Sequence, residues 1–269
     1  MTAPMPARSA TPTGRQMLNK VPEITVFFWV IKILCTTIGE SAADYLNETL
    51  GVGLIKTTLI MTAVLVIALV VQFRLTNYVP AVYWTVVALV SVVGTLVTDN
   101  LTDGLGISLV VSTIVFTVLL LITFGVWYRS EQTLSIHSIV TTRREAFYWL
   151  VVLVTFALGT ATGDLLVDRL GMSLFSAVLV FAGAIAVVYA SYRFGLGPVL
   201  SFWIAYVLTR PLGGSLGDYL SGARADGGAG LGTLVTSLFF LTAIVATVVY
   251  LTVTEADRTE VRAARTERV

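Results

Sequence analysis

The sequence predicts an all-α polytopic membrane protein. Eight transmembrane helices form four parallel two-helix repeats about a pseudo-fourfold axis, with helices 1, 3, 5 and 7 inside and 2, 4, 6 and 8 outside. Three observations predict it. The 269-residue chain is 56% hydrophobic and only 12% charged, about half the charged share of a soluble domain, and its mean hydropathy is +0.88. It contains eight apolar stretches of membrane-crossing length, and one motif of Trp, Gly and Asp recurs four times at a fixed spacing.

The same composition excludes several classes of function. One Cys and one His leave no disulfide framework, thiolate cage or imidazole metal site, each of which needs several such residues. A net charge of +1 offers no basic surface for nucleic acid. The bilayer is the expected partner, no cofactor is expected, and the few charged residues carry the information.

Taken in order, residues 1–20 are polar and rich in Pro, Ser and Thr, without the apolar core of a cleavable signal, so an uncleaved disordered tail is expected. A membrane domain follows over 21–253, divided into repeats at about 21–76, 77–140, 141–195 and 196–253. Its spans lie near 22–46, 53–73, 80–101, 107–128, 146–166, 172–192, 198–220 and 231–253, each about 20 residues, enough to cross roughly 30 Å of hydrocarbon. Helices are expected because lipid offers no partner to a free backbone group. Residues 254–269 form a charged tail, read as a solvated extension of the last helix.

An even number of spans puts both termini on one side. That side collects Arg8, Arg15, Lys20, Arg74, Arg129, Arg143, Arg144, Arg193, Arg258, Arg262, Arg265 and Arg268, 12 of the 17 basic residues. The positive-inside bias therefore predicts cytoplasmic termini in an inner (plasma) membrane.

Self-similarity organises the chain. Trp29, Trp84, Trp149 and Trp203 are each followed ten residues later by Gly39, Gly94, Gly159 and Gly213, and fifteen residues later by Asp44, Asp99, Asp164 and Asp218. Three copies add a Gly at 51, 106 and 171 and an acid at Glu48, Asp103 and Asp168; the fourth instead has a Gly-rich loop from Gly222 to Gly232. The second helix of each repeat is aliphatic, as a lipid-facing helix is, and the first carries the Gly and the Asp. Mid-span Gly, with Ala43, Thr98, Gly163 and Gly217 four residues on, lets helices approach closely. At 1.5 Å per residue the Asp lies about 22 Å beyond the Trp. Two roles are open for the Trp residues, an interfacial aromatic belt or packing inside the bundle.

This organisation over residues 20–253, with the four Trp-Gly-Asp sets and segments such as GTLVTDNLTD and TRPLGGSLGDYL, resembles a family of bacterial multi-spanning membrane proteins built from four tandem Trp-containing repeats. The resemblance implies the fold, and the family's function is unknown. A fainter similarity is to cation/proton exchangers whose signature contains Gly-Asp. Here Gly163-Asp164 and Gly217-Asp218 match, and the basic residue that follows in that signature is absent.

An ionisable residue inside hydrocarbon is costly and becomes a functional candidate. The candidate binding set is Asp44, Asp99, Asp164 and Asp218, with Glu40 one turn before Asp44; only Lys32 and Arg210 oppose these five acids within the spans. Carboxylates crowded round one axis cannot all stay ionised, so they share protons that an arriving cation displaces. The expected function is a proton-coupled carrier of a small hard cation of the Mn, Mg, Ca or Na type, since oxygen ligands, helped by Thr95, Thr160 or Asn100, suit these better than copper or zinc. The alternative is a non-catalytic scaffold whose polar residues hold the bundle together, and no enzyme is expected; a pair of acids acting as an aspartyl protease ranks third. Arg210, followed by Pro211, is expected to pair with Glu40 or a motif Asp and to act in coupling or gating. Lys32 is assigned the same role, with snorkelling to the surface as its simpler reading. Glu48, Asp103 and Asp168 are read as ordinary loop acids, and His137 and Cys35 as incidental.

Overall fold

In the computed structural model, which describes residues 19–257, the chain forms eight long helices and, among the described residues, no strand. They are α1 (Val26–Asp44), α2 (Leu54–Arg74), α3 (Pro80–Asp99), α4 (Leu109–Glu131), α5 (Thr142–Asp164), α6 (Leu174–Arg193), α7 (Pro198–Ser221) and α8 (Thr233–Thr254). Their starts follow from local chemistry. The hydroxyls of Thr25, Ser108, Thr141 and Ser173 accept from backbone N–H groups of the first turns of α1, α4, α5 and α6, and Pro80 and Pro198 occupy the first turn of α3 and α7, where a missing N–H costs nothing. Arg74, Arg129 and Arg193 close α2, α4 and α6 at the end where a cation meets the helix dipole.

Seven of the eight helices are long and apolar enough to cross a membrane; α7 falls outside that set. It is 24 residues long, but Arg210, Pro211 and the Gly-rich run before Asp218 lower its apolarity. Its sides are covered, because it packs between α1 and α5.

The odd-numbered helices form a closed ring in which α1 packs on α3, α3 on α5, α5 on α7 and α7 back on α1. They are mostly buried, and the even-numbered helices present long rows of exposed Val, Leu, Ile and Phe, as the aliphatic composition of those helices requires. Each outer helix packs chiefly on the inner helix of the next repeat: α2 on α3, α4 on α5 and α6 on α7, while α8 returns to α1.

Glycine sets the ring's spacing. A Cβ at Gly39 would overlap Ser91, one at Gly94 Phe156, one at Gly159 Arg210 and one at Gly213 Thr36. In every case the obstacle is the residue three positions before the motif Gly of the neighbouring helix. The aromatic residue preceding each Trp repeats this cyclic order: Phe28 contacts Trp84, Tyr83 contacts Trp149, Tyr148 contacts Trp203 and Phe202 contacts Trp29, with ring centroids 5.4 to 6.3 Å apart. Trp84, Trp149 and Trp203 are at most 5% exposed, so of the two roles open to them the structure gives packing inside the bundle. Trp29 is half-buried against the same core.

Three features depart from the sequence reading. Asn19 and Lys20, assigned to the leading tail, are buried; Lys20 Nζ donates to Glu145 Oε2 at 2.6 Å and to the Phe73 carbonyl at 3.1 Å, and Asn19 Nδ2 donates to the Ile136 carbonyl. Residues 1–18 lie outside the described chain. The last helix does not run on into the charged tail, because Glu255 takes a left-handed conformation with φ +52° and ends it; residues 258–269 are outside the description. Finally, α1, α3 and α5 do not give way to simple loops. Each passes into one π-helical turn, Tyr45–Thr49, Asn100–Gly104 and Leu165–Arg169, after which Gly51, Gly106 and Gly171 reverse the chain with φ of 63° to 68°.

Candidate functional site

Counting from each Trp, the residues at positions −1, 3, 7, 11 and 15 fall four apart and line one face of a helix. In α1 they are Phe28, Lys32, Thr36, Glu40 and Asp44; in α3, Tyr83, Val87, Ser91, Thr95 and Asp99; in α5, Tyr148, Val152, Phe156, Thr160 and Asp164; and in α7, Phe202, Tyr206, Arg210, Gly214 and Asp218. Apart from the four Asp residues, which are partly exposed, every one is buried. The stripe forms a column of layers down the centre of the ring, aromatic at the Trp end and acidic at the Asp end.

At the Asp end lies a cavity of about 260 Å³ lined by all four motif Asp residues and Glu40, together with Asn47, Thr102, Asp103 and Asp168. Carboxylate oxygens of Glu40, Asp164 and Asp218 come within 4.8 Å of one another. The π-helical turns explain how Asp103 and Asp168 join the lining: the extra residue per turn keeps the chain wound while turning the side chain four residues beyond the motif Asp towards the axis. The loop reading of these two acids is corrected accordingly; the side chain of Glu48 is outside the described structure.

One layer inward, Arg210 is fully buried. Its Nη2 donates to Glu40 Oε2 at 2.7 Å, to Thr160 Oγ1 at 2.7 Å, and to Thr95 Oγ1. Thr95 Oγ1 also donates to Glu40 Oε2 at 3.2 Å. Glu40, Thr95 and Thr160 occupy position 11 of three repeats, and the fourth repeat has Gly214 there, whose missing side chain leaves room for the guanidinium.

Beyond that layer Lys32 is 1% exposed, so it does not snorkel: position 3 faces the column. Its Nζ has no hydrogen-bond partner among the described residues and sits 3.9 Å from the Tyr206 ring centroid and 5.0 Å from that of Phe156, within cation–π range. The column ends in the aromatic ring, where Tyr83 and Tyr148 share a hydrogen bond between their hydroxyls.

The structure thus brings the five candidate acids to one cavity, with Arg210 beneath it and Lys32 deeper. His137 lies in the loop before α5, at the opposite end, and Cys35 is buried beside the Trp84 carbonyl, so neither faces the cavity and its donors are all oxygen. The aromatic residue before each Trp and the shared layer at position 11 escape a search for identical residues, because their members differ between copies; alignment of the four repeats at every offset finds both.

Residues 27–78, 82–133, 147–195 and 201–257 each match the model of one family, described as a Repeat of Unknown Function (DUF347), and each match begins two residues before a motif Trp. No curated protein and no solved structure matches the chain.

Proposed function

The chain belongs to the Repeat of Unknown Function (DUF347) family, and on that premise we propose that it is a membrane transporter, a proton-coupled carrier of a small hard cation of the Mn, Mg, Ca or Na type. The observation that carries this reading is the convergence of Glu40, Asp164 and Asp218 within 4.8 Å in a cavity that Asp44 and Asp99 also line. Oxygen donors at that spacing suit hard cations, and so many carboxylates in one low-dielectric space hold protons when no cation is bound. Exchange of protons for the cation follows from mass action.

The protein then belongs in the bacterial inner membrane with the Trp end facing the cytoplasm. The basic residues at that end, among them Arg74, Arg129, Arg143, Arg144 and Arg193, support this orientation. The cavity opens on the other face, and the Arg210 layer and the aromatic ring close the column towards the cytoplasm, as an outward-facing state of an alternating-access carrier requires.

The test is uptake of Mn²⁺ by proteoliposomes of the purified protein under an imposed pH gradient. Transport is expected, and Asp164→Asn and Asp218→Asn are expected to abolish it while the fold is kept. A wild-type protein that moves neither cation nor protons refutes the carrier. One observation favours the scaffold reading, the interlocked Gly and aromatic contacts that close the ring. On that reading the Asn variants lose folding and never had transport to lose.

A further inference from the structure

Resting on the carrier reading above, we propose that Arg210 is a tethered competitor of the substrate: its guanidinium and the incoming cation share the Glu40 carboxylate, and binding of one releases the other. Glu40 belongs to two constellations at once. It stands with Asp164 and Asp218 inside 4.8 Å, and its Oε2 accepts from Arg210 Nη2 at 2.7 Å. A cation that gathers the three carboxylates draws Glu40 into its shell and places a second positive charge beside the guanidinium, in a medium where like charges repel strongly.

The guanidinium is held in a manner that permits release. Only Nη2 is hydrogen-bonded; Nε and Nη1 are buried without a hydrogen-bond partner among the described residues, and the guanidinium otherwise rests 5.6 Å from the Phe156 ring centroid. Three oxygens from three repeats converge on that one nitrogen, which carries two protons. This is how oxygens gather round a cation, and it differs from the two-pronged clasp in which Arg binds a carboxylate most strongly. Gly214 keeps clear the space beside the guanidinium, since a Cβ there would stand 2.8 Å from Nη1 and 3.4 Å from Glu40 Oε2.

The experiment is Mn²⁺ binding to the full chain in lipid nanodiscs at a fixed pH, read from the paramagnetic resonance of free Mn²⁺. Arg210→Gln is expected to tighten binding by roughly tenfold, in the range of typical coupling energies, and Arg210→Lys, which keeps the charge, to stay near wild type. Thr160→Val removes one acceptor of Nη2 without touching Glu40 and is expected to tighten binding on the order of threefold; it decides the matter if Arg210→Gln does not fold. Unchanged or weaker binding in Arg210→Gln and Thr160→Val, with Asp164→Asn and Asp218→Asn still abolishing it, overturns the competition and leaves the carrier reading standing. Wild-type binding that survives both Asn substitutions overturns the cation site itself, and the competition with it.

Discussion

Arg210 and Glu40 are buried together, and removing one partner of such a pair leaves an uncompensated charge. Arg210→Met alone is therefore expected to lower stability by about 3 kcal/mol or more, whereas the double variant Glu40→Gln/Arg210→Met recovers most of the loss. Unfolding in mild detergent, followed by tryptophan fluorescence, checks the cycle. Close packing gives a second prediction at this scale. A methyl at Gly159 meets Cβ and Cγ of Arg210 and Cδ of Pro211, while one at Gly183 meets nothing within 4 Å. Gly159→Ala is expected to cost about 1–3 kcal/mol by overpacking and Gly183→Ala to stay within about 0.5 kcal/mol of wild type, measured in the same assay. The motif glycines were legible in the sequence because they recur at one offset from Trp. Their partners were not, since Ser91, Phe156, Arg210 and Thr36 are four different residue types and matter only once helix neighbours are known. Lys32 misleads for a related reason: its distance from Trp29 suggests an escape to the surface, and its angular position denies one.

The three π-helical turns are the element that sequence periodicity assigns to loops. An acid recurs a constant four residues after the motif Asp in three copies and reads as a loop residue, because the extra residue in each turn shifts the phase that pattern reading relies on. Each turn is stopped by a Gly that takes a left-handed conformation, Gly171 having φ +68° with open space around it. Gly171→Ala is expected to cost about 1–2 kcal/mol from backbone strain alone, and Gly171→Asn less, since Asn tolerates that conformation; thermal unfolding of the two variants side by side tests the difference. The last helix shows the converse limit. Charges beyond Thr254 continue at helical spacing, yet Glu255 ends the helix, with Ala256 half-buried and Asp257 buried beyond it.

At the scale of the molecule, the number of spans, the doubling into inner and outer rings and the parallel order of repeats were all readable from apolar length and the fourfold motif. The exchange of outer helices was not, because an aliphatic face says only that it meets something apolar. That exchange makes the chain a closed circuit, in which α8 covers α1. A chain truncated before Thr233 is expected to lose a monodisperse folded state, since α1 then lacks its outer partner. A circular permutant that begins at Asn77, between α2 and α3, and joins the original ends through a flexible linker is expected to keep it. Size-exclusion chromatography in detergent separates the outcomes. The layer at position 11 has a consequence for ancestry. Four identical subunits on a fourfold axis can place at its centre only four copies of a residue or none, and four guanidinium groups at one level would repel each other apart. A lone Arg210 among Glu40, Thr95, Thr160 and Gly214 is closed to four identical subunits and open once the repeats differ, so the asymmetric charge at the heart of this ring is a product of divergence between the repeats.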